Sequence, residues 1–252
     1  MGMIESRHYP NAPITEAIID IQVSPCADLV FEELGNVRRG QVEEYPAQES
    51  TFEATGVPEV RPGISASASA QQKQTGFRFV RSDKQYVWQS RTNGFTLSRL
   101  PPYESWEPFR DEARRLWSAY REAIQPAAVT RLAVRYINRI DIPEDSVDLK
   151  EYFRTSPEVS PDLPQRLAGF FMQLRIPQDD LHGQALINQT VIAPARDGVV
   201  SVVLDIDVYK GDDVPSEEDD IWGYFETLHV RKNAIFEACI TEKARELFEQ
   251  CR

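Results

Sequence analysis

The chain has 252 residues, of which 41% are hydrophobic and 27% are charged, and its formal net charge is −12. This length and apolar content are sufficient for a buried core, and a charged fraction near the globular norm does not indicate wholesale disorder. The acidic balance disfavours nucleic-acid binding by phosphate neutralisation, which needs clustered Lys and Arg, and it disfavours anionic membranes for the same reason.

The cysteines and the N-terminal segment set further expectations. Cys26, Cys239 and Cys251 are an odd number without metal-site spacing, so they predict neither a disulfide framework nor a zinc site. Residues 1–10 are polar and lack the apolar stretch of a secretion signal. No segment approaches the roughly 18 apolar residues of a membrane span. We therefore expect a cytoplasmic protein with no membrane partner and no metal or other cofactor.

The first half of the chain opens on a β-branched segment at 14–23, which predicts a strand. Ser24 and Pro25 then form a favourable helix start, and the sequence predicts a helix that ends near Arg39, before Gly40. Strand signals follow at 51–55 and in the Ser/Ala alternation at 64–70. An antiparallel meander is predicted at 76–81, 86–91 and 95–100, with turns at 82–84 and 93–94.

A strongly amphipathic helix is predicted from Ser105 to Ile124, closed by Pro126. Its apolar residues recur every three or four positions, which is typical of a helix that packs against a sheet. They are Trp106, Phe109, Ala113, Leu116, Trp117, Tyr120 and Ile124.

The second half repeats this order of elements. A strand is predicted at 130–142, a short helix at 148–154, and further strands at 168–176, 184–193 and 199–210. An acidic segment with Ser216 as the candidate N-cap precedes a second long helix. That helix carries Ile221, Trp222, Phe225, Leu228, His229 and Phe236. Thr241 is the expected cap of a final helix that ends near Phe248.

The repetition predicts the fold class. Both long helices contain a Trp-x-x-Phe pattern, at Trp106 and Phe109 and again at Trp222 and Phe225. We expect an α+β protein of two similar β-α-β(3-4)-α halves that form a curved antiparallel sheet against two long helices. The halves are residues 1–126 and 127–252, as two domains or as one continuous structural domain.

Three segments carry a family resemblance across nearly the whole chain. They are NAPITEAIIDIQV at 11–23, TRLAVRYINRIDIP at 130–143 and LHVRKNAIFEACITEKARELF at 228–248. They resemble a sporadically distributed family of uncharacterised bacterial proteins, which implies a bacterial, cytoplasmic, accessory protein and assigns no catalytic or ligand residue. The architecture resembles the duplicated TATA-binding-protein-like and helix-grip folds, and this likeness implies no function.

The strand at 130–142 is the segment with the most informative side chains. Because side chains alternate along a strand, Arg131, Arg135 and Arg139 share one face, while Tyr136 lies on the opposite, apolar face. Neighbouring strands have polar faces that match, and these carry Arg175, Asp20, Asp205 and Asp207. The sequence therefore predicts a polar sheet surface that bears arginines and carboxylates.

This polar surface has two interpretations. It is either a solvated face with weak cross-strand ion pairs, or a recognition surface whose arginines form bidentate contacts with a carboxylate or phosphate of a partner.

His229, on the apolar stripe of the second long helix, is either a core histidine or a general base near Glu226 or Asp219. The other histidines, His8 and His182, are far away in sequence, so metal ligation has little support.

Two functions follow from these patterns. The first is a non-enzymatic binding protein that recognises a protein partner, or assembles on itself, through the polar surface, for example an antitoxin or immunity-type protein. The second is a small-ligand-binding protein or enzyme with a cavity between sheet and helices, lined by Trp88, Arg135, Tyr136 and His229. The sequence contains no Gly-rich phosphate loop, no G-x-S-x-G motif and no C-x-x-C motif, which favours the first of these functions. We therefore assign no catalytic residue.

Overall fold

A computed structural model describes residues 7–55, 71–165 and 167–249. The strands are β1 (Ile14–Ser24), β2 (Ala47–Thr55), β3 (Gln71–Val80), β4 (Tyr86–Arg91), β5 (Gly94–Arg99), β6 (Ala128–Ile142), β7 (Phe171–Gln178), β8 (Gly183–Ile192) and β9 (Val200–Lys210). The α-helices are α1 (Glu33–Asn36), α2 (Trp106–Ile124), α3 (Leu149–Tyr152), α4 (Glu218–Cys239) and α5 (Glu242–Glu249), and a short 3-10 helix covers Asp179–Leu181.

In these described ranges, nine strands form one antiparallel sheet in the order β2-β3-β4-β5-β1-β6-β9-β8-β7. The combination of helices with a single large antiparallel sheet confirms the α+β class. The first strand of the chain lies at the centre of the sheet, between β5 and β6. No helix in the described part of the chain is long and apolar enough to cross a membrane.

The core lies between the sheet and the two long helices. All seven apolar residues of the predicted α2 stripe are buried, which confirms the helical period. Phe95 of β5 contacts Trp117 and Tyr120 of α2, with ring centroids 5.8 and 6.2 Å apart. On β1, Ala17, Ile19, Ile21 and Val23 are buried on the same side of the sheet. Strand alternation in the sequence therefore predicted the core-facing side of β1 correctly.

The prediction of a helix from Pro25 to about Arg39 was wrong. Only the four residues of α1 are helical there, and turns occupy most of the remaining segment. Ser24 does not cap a helix because it is the last residue of β1, where it pairs with Ala128 and its carbonyl accepts from the amide of Ala127. Gly35 weakens a longer helix further. The strand signal at 64–70 lies outside the described residues.

The central sheet is closely packed where the β4–β5 hairpin meets β1. Gly94, assigned to the turn by sequence, is instead the first residue of β5 and pairs with Gln22. The carbonyl of the preceding residue, Asn93, accepts from the amide of Val23 at 2.9 Å. A Cβ atom at position 94 would lie 2.5 Å from the carbonyl oxygen of Ile21, so this position requires glycine for its close backbone approach.

Gly94→Ala is expected to lower the free energy of unfolding by about 1–3 kcal/mol, because the backbone of β1 must move to accept the methyl group. Gly211→Ala is the matched control, since a Cβ atom there meets nothing within 4 Å. Urea unfolding of both variants measures their stability. Equal stability of the two variants would contradict the close approach of the β5 backbone to β1 at Gly94.

Candidate functional site

The predicted arginines lie on the sheet face opposite α2 and α4, which we call the outer face. Arg131, Arg135 and Arg139 project from β6 on this face, and Arg175 projects from the edge strand β7. Asp205 and Asp207 of β9 lie between these two strands, because β9 pairs with β6 on one side and with β8 on the other. The structure thus brings the predicted polar residues together on one surface.

Arg131 joins two carboxylates across the centre of the sheet. Its guanidinium lies 3.1 Å from Asp20 of β1 and 2.6 Å from Asp207 of β9. Asp20 also accepts from Arg91 and from the hydroxyl of Thr96, at 2.6 and 2.7 Å. Burial raises the pKa of Asp207, and the charge of Arg131 opposes this shift. These charges are therefore largely neutralised within the sheet itself.

Arg135 is held by a bidentate ion pair with the buried Asp205, with nitrogen–oxygen distances of 2.8 and 2.7 Å. The hydrogen bonds to Asp205 raise the pKa of the Arg135 guanidinium. Asn188 of β8 donates to the same carboxylate at 3.0 Å. Arg139 contacts Asp141 at 3.0 Å and donates to Ser201 at 3.2 Å. The three arginines of β6 thus all have partners within the chain.

Arg175 differs from the arginines of β6. It is exposed on β7, and within the described ranges it has no ion pair or hydrogen-bond partner. Phe171, two positions before Gln173 on the same strand face, is 67% exposed. The outer face therefore has a neutralised centre. At one edge, on the same face of β7, it carries an exposed aromatic ring and a guanidinium without a side-chain partner in the described chain.

Tyr136 and His229 do not belong to the outer face. Both lie on the helix side of the sheet, with ring centroids 6.3 Å apart. Of the four residues expected to line a cavity there, the cleft is lined by His229 but not by Trp88, Arg135 or Tyr136. Trp88 is fully buried among Tyr45, Phe79 and Phe95, and Arg135 points to the opposite face because it alternates with Tyr136 along β6.

A cleft of about 240 Å³ opens on the helix side, where the start of β1 meets the first turn of α2 and the second half of α4. A register shift between Ile14 and Glu16, where β1 pairs with β6, lies beside it, and such bulges often redirect side chains near functional sites. The lining residues used below are His8, Tyr9, Ile14, Tyr103, Glu104, Ser105, Trp106, Glu107, Asn138, His229, Lys232, Asn233 and Glu237.

Lys232 is the unusual residue of the cleft. It is only 5% exposed, and its ammonium lies 3.5 Å from the ring centroid of Tyr136. It donates to Asn233 Oδ1 at 2.5 Å, and no carboxylate of the described chain lies within ion-pair distance. Burial lowers the pKa of Lys232 to about 7. A buried cation with only uncharged contacts is unusual in a protein interior.

The nearby buried carboxylate, Glu237, is already engaged. It accepts from Arg245 at 2.8 Å and from the hydroxyl of Tyr9 at 2.7 Å, and both Glu237 and Arg245 are buried. Its charge favours protonated Lys232, but burial of the ammonium is the larger effect. Glu237 therefore lies at one end of the cleft in a satisfied ion pair, and among the described residues Lys232 has no carboxylate of its own.

His229 is a neutral, stacked ring in this arrangement. It lies parallel to Trp106 with ring centroids 4.3 Å apart and an interplanar angle of 3°. Burial, together with the charge of Lys232, lowers the pKa of His229 to about 3. Asn233 Nδ2 lies 3.3 Å from His229 Nε2, a geometry in which the amide donates and the ring nitrogen accepts. Glu226 and Asp219 were the two carboxylates considered for a general-base His229. Glu226 instead accepts from Trp106 Nε1 at 2.9 Å, and Asp219 accepts from Arg114 at 2.7 Å.

The first turn of α2 forms another side of the cleft. Ser105 is the N-cap residue, but its side chain does not accept from the helix, so it satisfies none of the first-turn amides. The helix dipole adds partial positive charge at this end. Exposed Glu104 and Glu107 line the same region, so the cleft has acidic residues at its margin and positive groups deeper inside.

Lys232 is absent from the residues singled out by sequence, although a signal for it exists. Leu228, Lys232 and Phe236 recur at intervals of four, which places the lysine on the apolar stripe of α4. A lysine in the centre of a buried stripe is rare enough to identify a candidate site. No group of three or more His, Cys, Asp or Glu side chains could hold a metal ion in the ranges that the structure describes.

Comparisons with known proteins add no further assignment. No protein-family model matches the chain, and no curated protein matches its sequence.

The lowered pKa of Lys232 predicts a specific pH dependence of stability. The unfolded chain, with a lysine pKa near 10.5, keeps a proton that the folded protein loses as pH rises through about 7. The free energy of unfolding of the wild type should therefore rise by about 1–2 kcal/mol, relative to Lys232→Met, between about pH 7 and 9. Urea unfolding of both proteins across this pH range measures the difference in free energy. Lys84→Met is the exposed control, and a constant difference between wild type and Lys232→Met would show that this amine keeps its proton.

Proposed function

We propose that the protein is a small-ligand-binding protein whose cleft takes a small organic anion. The observation that carries this proposal is Lys232, which lines the cleft and whose buried ammonium lacks a carboxylate partner in the described part of the chain. An anion that entered the cleft would supply the missing negative charge in a low-dielectric setting, where such a contact is strong.

Two further features support an anionic ligand. The first turn of α2 lines the cleft and lacks a side-chain cap, and helix N-termini favour negative groups. The stacked pair of Trp106 and His229 offers a flat apolar wall, which suits the carbon skeleton of a small organic molecule. The cleft of about 240 Å³ restricts the ligand to a few heavy atoms beyond its charged group.

Binding should depend on the charge of Lys232. At about pH 6, millimolar pyruvate is expected to raise the melting temperature of the wild type by a few degrees through preferential binding to the folded state. Lys232→Met should lose this response because its side chain carries no ammonium, whereas Lys84→Met should keep it. Differential scanning fluorimetry, with chloride at equal ionic strength as the salt control, measures the shift. Equal stabilisation of wild type and Lys232→Met would contradict the proposal.

The outer face supports a second candidate, recognition of a protein partner or of a second copy of the chain. The supporting observation is the edge strand β7, where exposed Phe171 and Arg175 share one strand face and Arg175 has no ion pair with a described residue. Aromatic residues and arginine are enriched at binding hot spots. An antitoxin or immunity-type protein of a bacterial operon is one form that this candidate takes.

Substitution of Phe171 by Ser together with Arg175 by Glu is expected to convert a self-associated wild type to monomer without a measurable change in melting temperature. Val230→Ser, at another exposed apolar position, is the control. Sedimentation velocity distinguishes the outcomes, and an unchanged sedimentation coefficient would count against β7. Arg135 is unsuitable for this test, because its loss leaves the buried Asp205 without a bidentate partner and changes stability directly.

We also propose that the fold is an internal duplication of a bacterial cytoplasmic protein of the family that the sequence resembles. In support, β1 and β6 pair antiparallel at the centre of the sheet, and the last strand of each half, β5 or β9, lies next to the first. Each half also contains one four-residue helix and one long helix.

A further inference from the structure

The chemistry available to the amine of Lys232 extends beyond charge. The side chain extends from the middle of α4, and its nitrogen lies against the ring of Tyr136 and beside Asn233 Oδ1. Both contacts are with uncharged groups and favour the ammonium only weakly. Neither uses the lone pair of the uncharged amine, because the nitrogen donates a hydrogen to Asn233 Oδ1 and lies over the Tyr136 ring. A lysine tied to a carboxylate would have to break an ion pair before it could react, and Lys232 has none to break in the described chain.

Other lysines of the protein lack this combination. Lys150 pairs with Glu158, and Lys243 pairs with Glu144 and Glu151. Lys210 is also 5% exposed, but it lies over the ring of Tyr224, away from the cleft. Lys232 is thus the described lysine that is buried, free of carboxylates and placed on a cleft wall.

The charged and titratable groups around the amine determine whether it is uncharged near neutral pH. Burial lowers its pKa to about 7, and Glu237, on the same helix, opposes this. Glu237 is held by Arg245 of α5, and His229 is neutral, so neither supplies a free charge next to the amine. The remaining charged groups on the cleft wall are Arg7, Glu104 and Glu107, and its other titratable side chains are His8, Tyr9 and Tyr103.

From the cleft, the buried position of the amine and its uncharged contacts, we infer that Lys232 is a nucleophile that captures a small 2-oxo acid as an imine. This inference rests on the proposed function, because it assigns the ligand class of the same cleft. The carboxylate of a 2-oxo acid suits the amides of the first turn of α2, and its adjacent carbonyl carbon is the electrophile that an uncharged amine requires.

The reaction balances without a redox partner. The lone pair of the uncharged amine attacks the carbonyl carbon and forms a carbon–nitrogen bond, while the carbonyl oxygen takes up a proton and the nitrogen loses one. The resulting carbinolamine then breaks its carbon–oxygen bond while the nitrogen lone pair forms the carbon–nitrogen double bond. The hydroxyl group leaves as water with the remaining proton of the attacking nitrogen. One water molecule is released, and nothing is oxidised or reduced.

Reductive trapping tests this step. The full chain is incubated with pyruvate and sodium cyanoborohydride at about pH 7, and peptide mass mapping locates the reduced adduct. Lys232 is expected to be modified on the order of tenfold to a hundredfold faster than exposed Lys84, because burial lowers the pKa of Lys232 to about 7 and leaves much of its amine uncharged. Lys232→Arg, which keeps the positive charge, should abolish the fast adduct, whereas Lys210→Met should keep it. Circular dichroism verifies that each variant is folded.

The outcomes separate this inference from the proposed function. A melting-temperature response to pyruvate that depends on Lys232, without any adduct on it, overturns imine formation and leaves the anion-binding cleft intact. Loss of both signals overturns both proposals. Adducts that form at equal rates on Lys84, Lys150 and Lys232 also overturn the inference, since they show that the cleft gives Lys232 no special reactivity.

Discussion

The antiparallel pairing of β1 with β6 is the constraint on which the rest of the structure depends. It joins the opening strand of the chain to a strand more than one hundred residues later and makes both of them central. On one face the pairing places Ile19 beside Val134 in the core. On the other face it brings Asp20 to Arg131. A shift of one residue would exchange the two faces of β1 and expose its apolar side chains.

The same pairing explains why the outer face is largely an internal network. Arg131 reaches carboxylates on both neighbouring strands, and Arg135 is fixed by a buried aspartate. Such pairs contribute little net stability when formed, but removing one partner leaves the other buried and uncompensated. The central arginines therefore help to fix the register of the strands and the order in which they pair. The surface available to a partner is concentrated at β7, where Phe171 and Arg175 remain exposed.

The electrostatic arrangement of the cleft, on the opposite side of the sheet, differs from that of the outer face. There a buried cation, Lys232, has an aromatic ring and an amide as contacts, while the buried carboxylate of Glu237 is satisfied by Arg245. Desolvation is the larger influence on the pKa of Lys232, whereas the hydrogen bonds to Asp205 are the larger influence on the pKa of Arg135. This contrast favours the cleft over the outer face as the chemically active part of the molecule.

Local patterns in the sequence were sufficient for the amphipathic stripe of α2, the alternation of β1 and β6, and the shared face of Arg131, Arg135, Asp205 and Asp207, because helix and strand periods depend on near neighbours in the chain. They failed after Ser24, since the strand pairing of that residue is a contact with Ala128. They placed His229 in a cavity between sheet and helices but missed Lys232. Tyr136 and Lys232 are far apart in sequence, and only the tertiary structure brings the ring and the ammonium together, because burial and charge compensation depend on every element packed around a site.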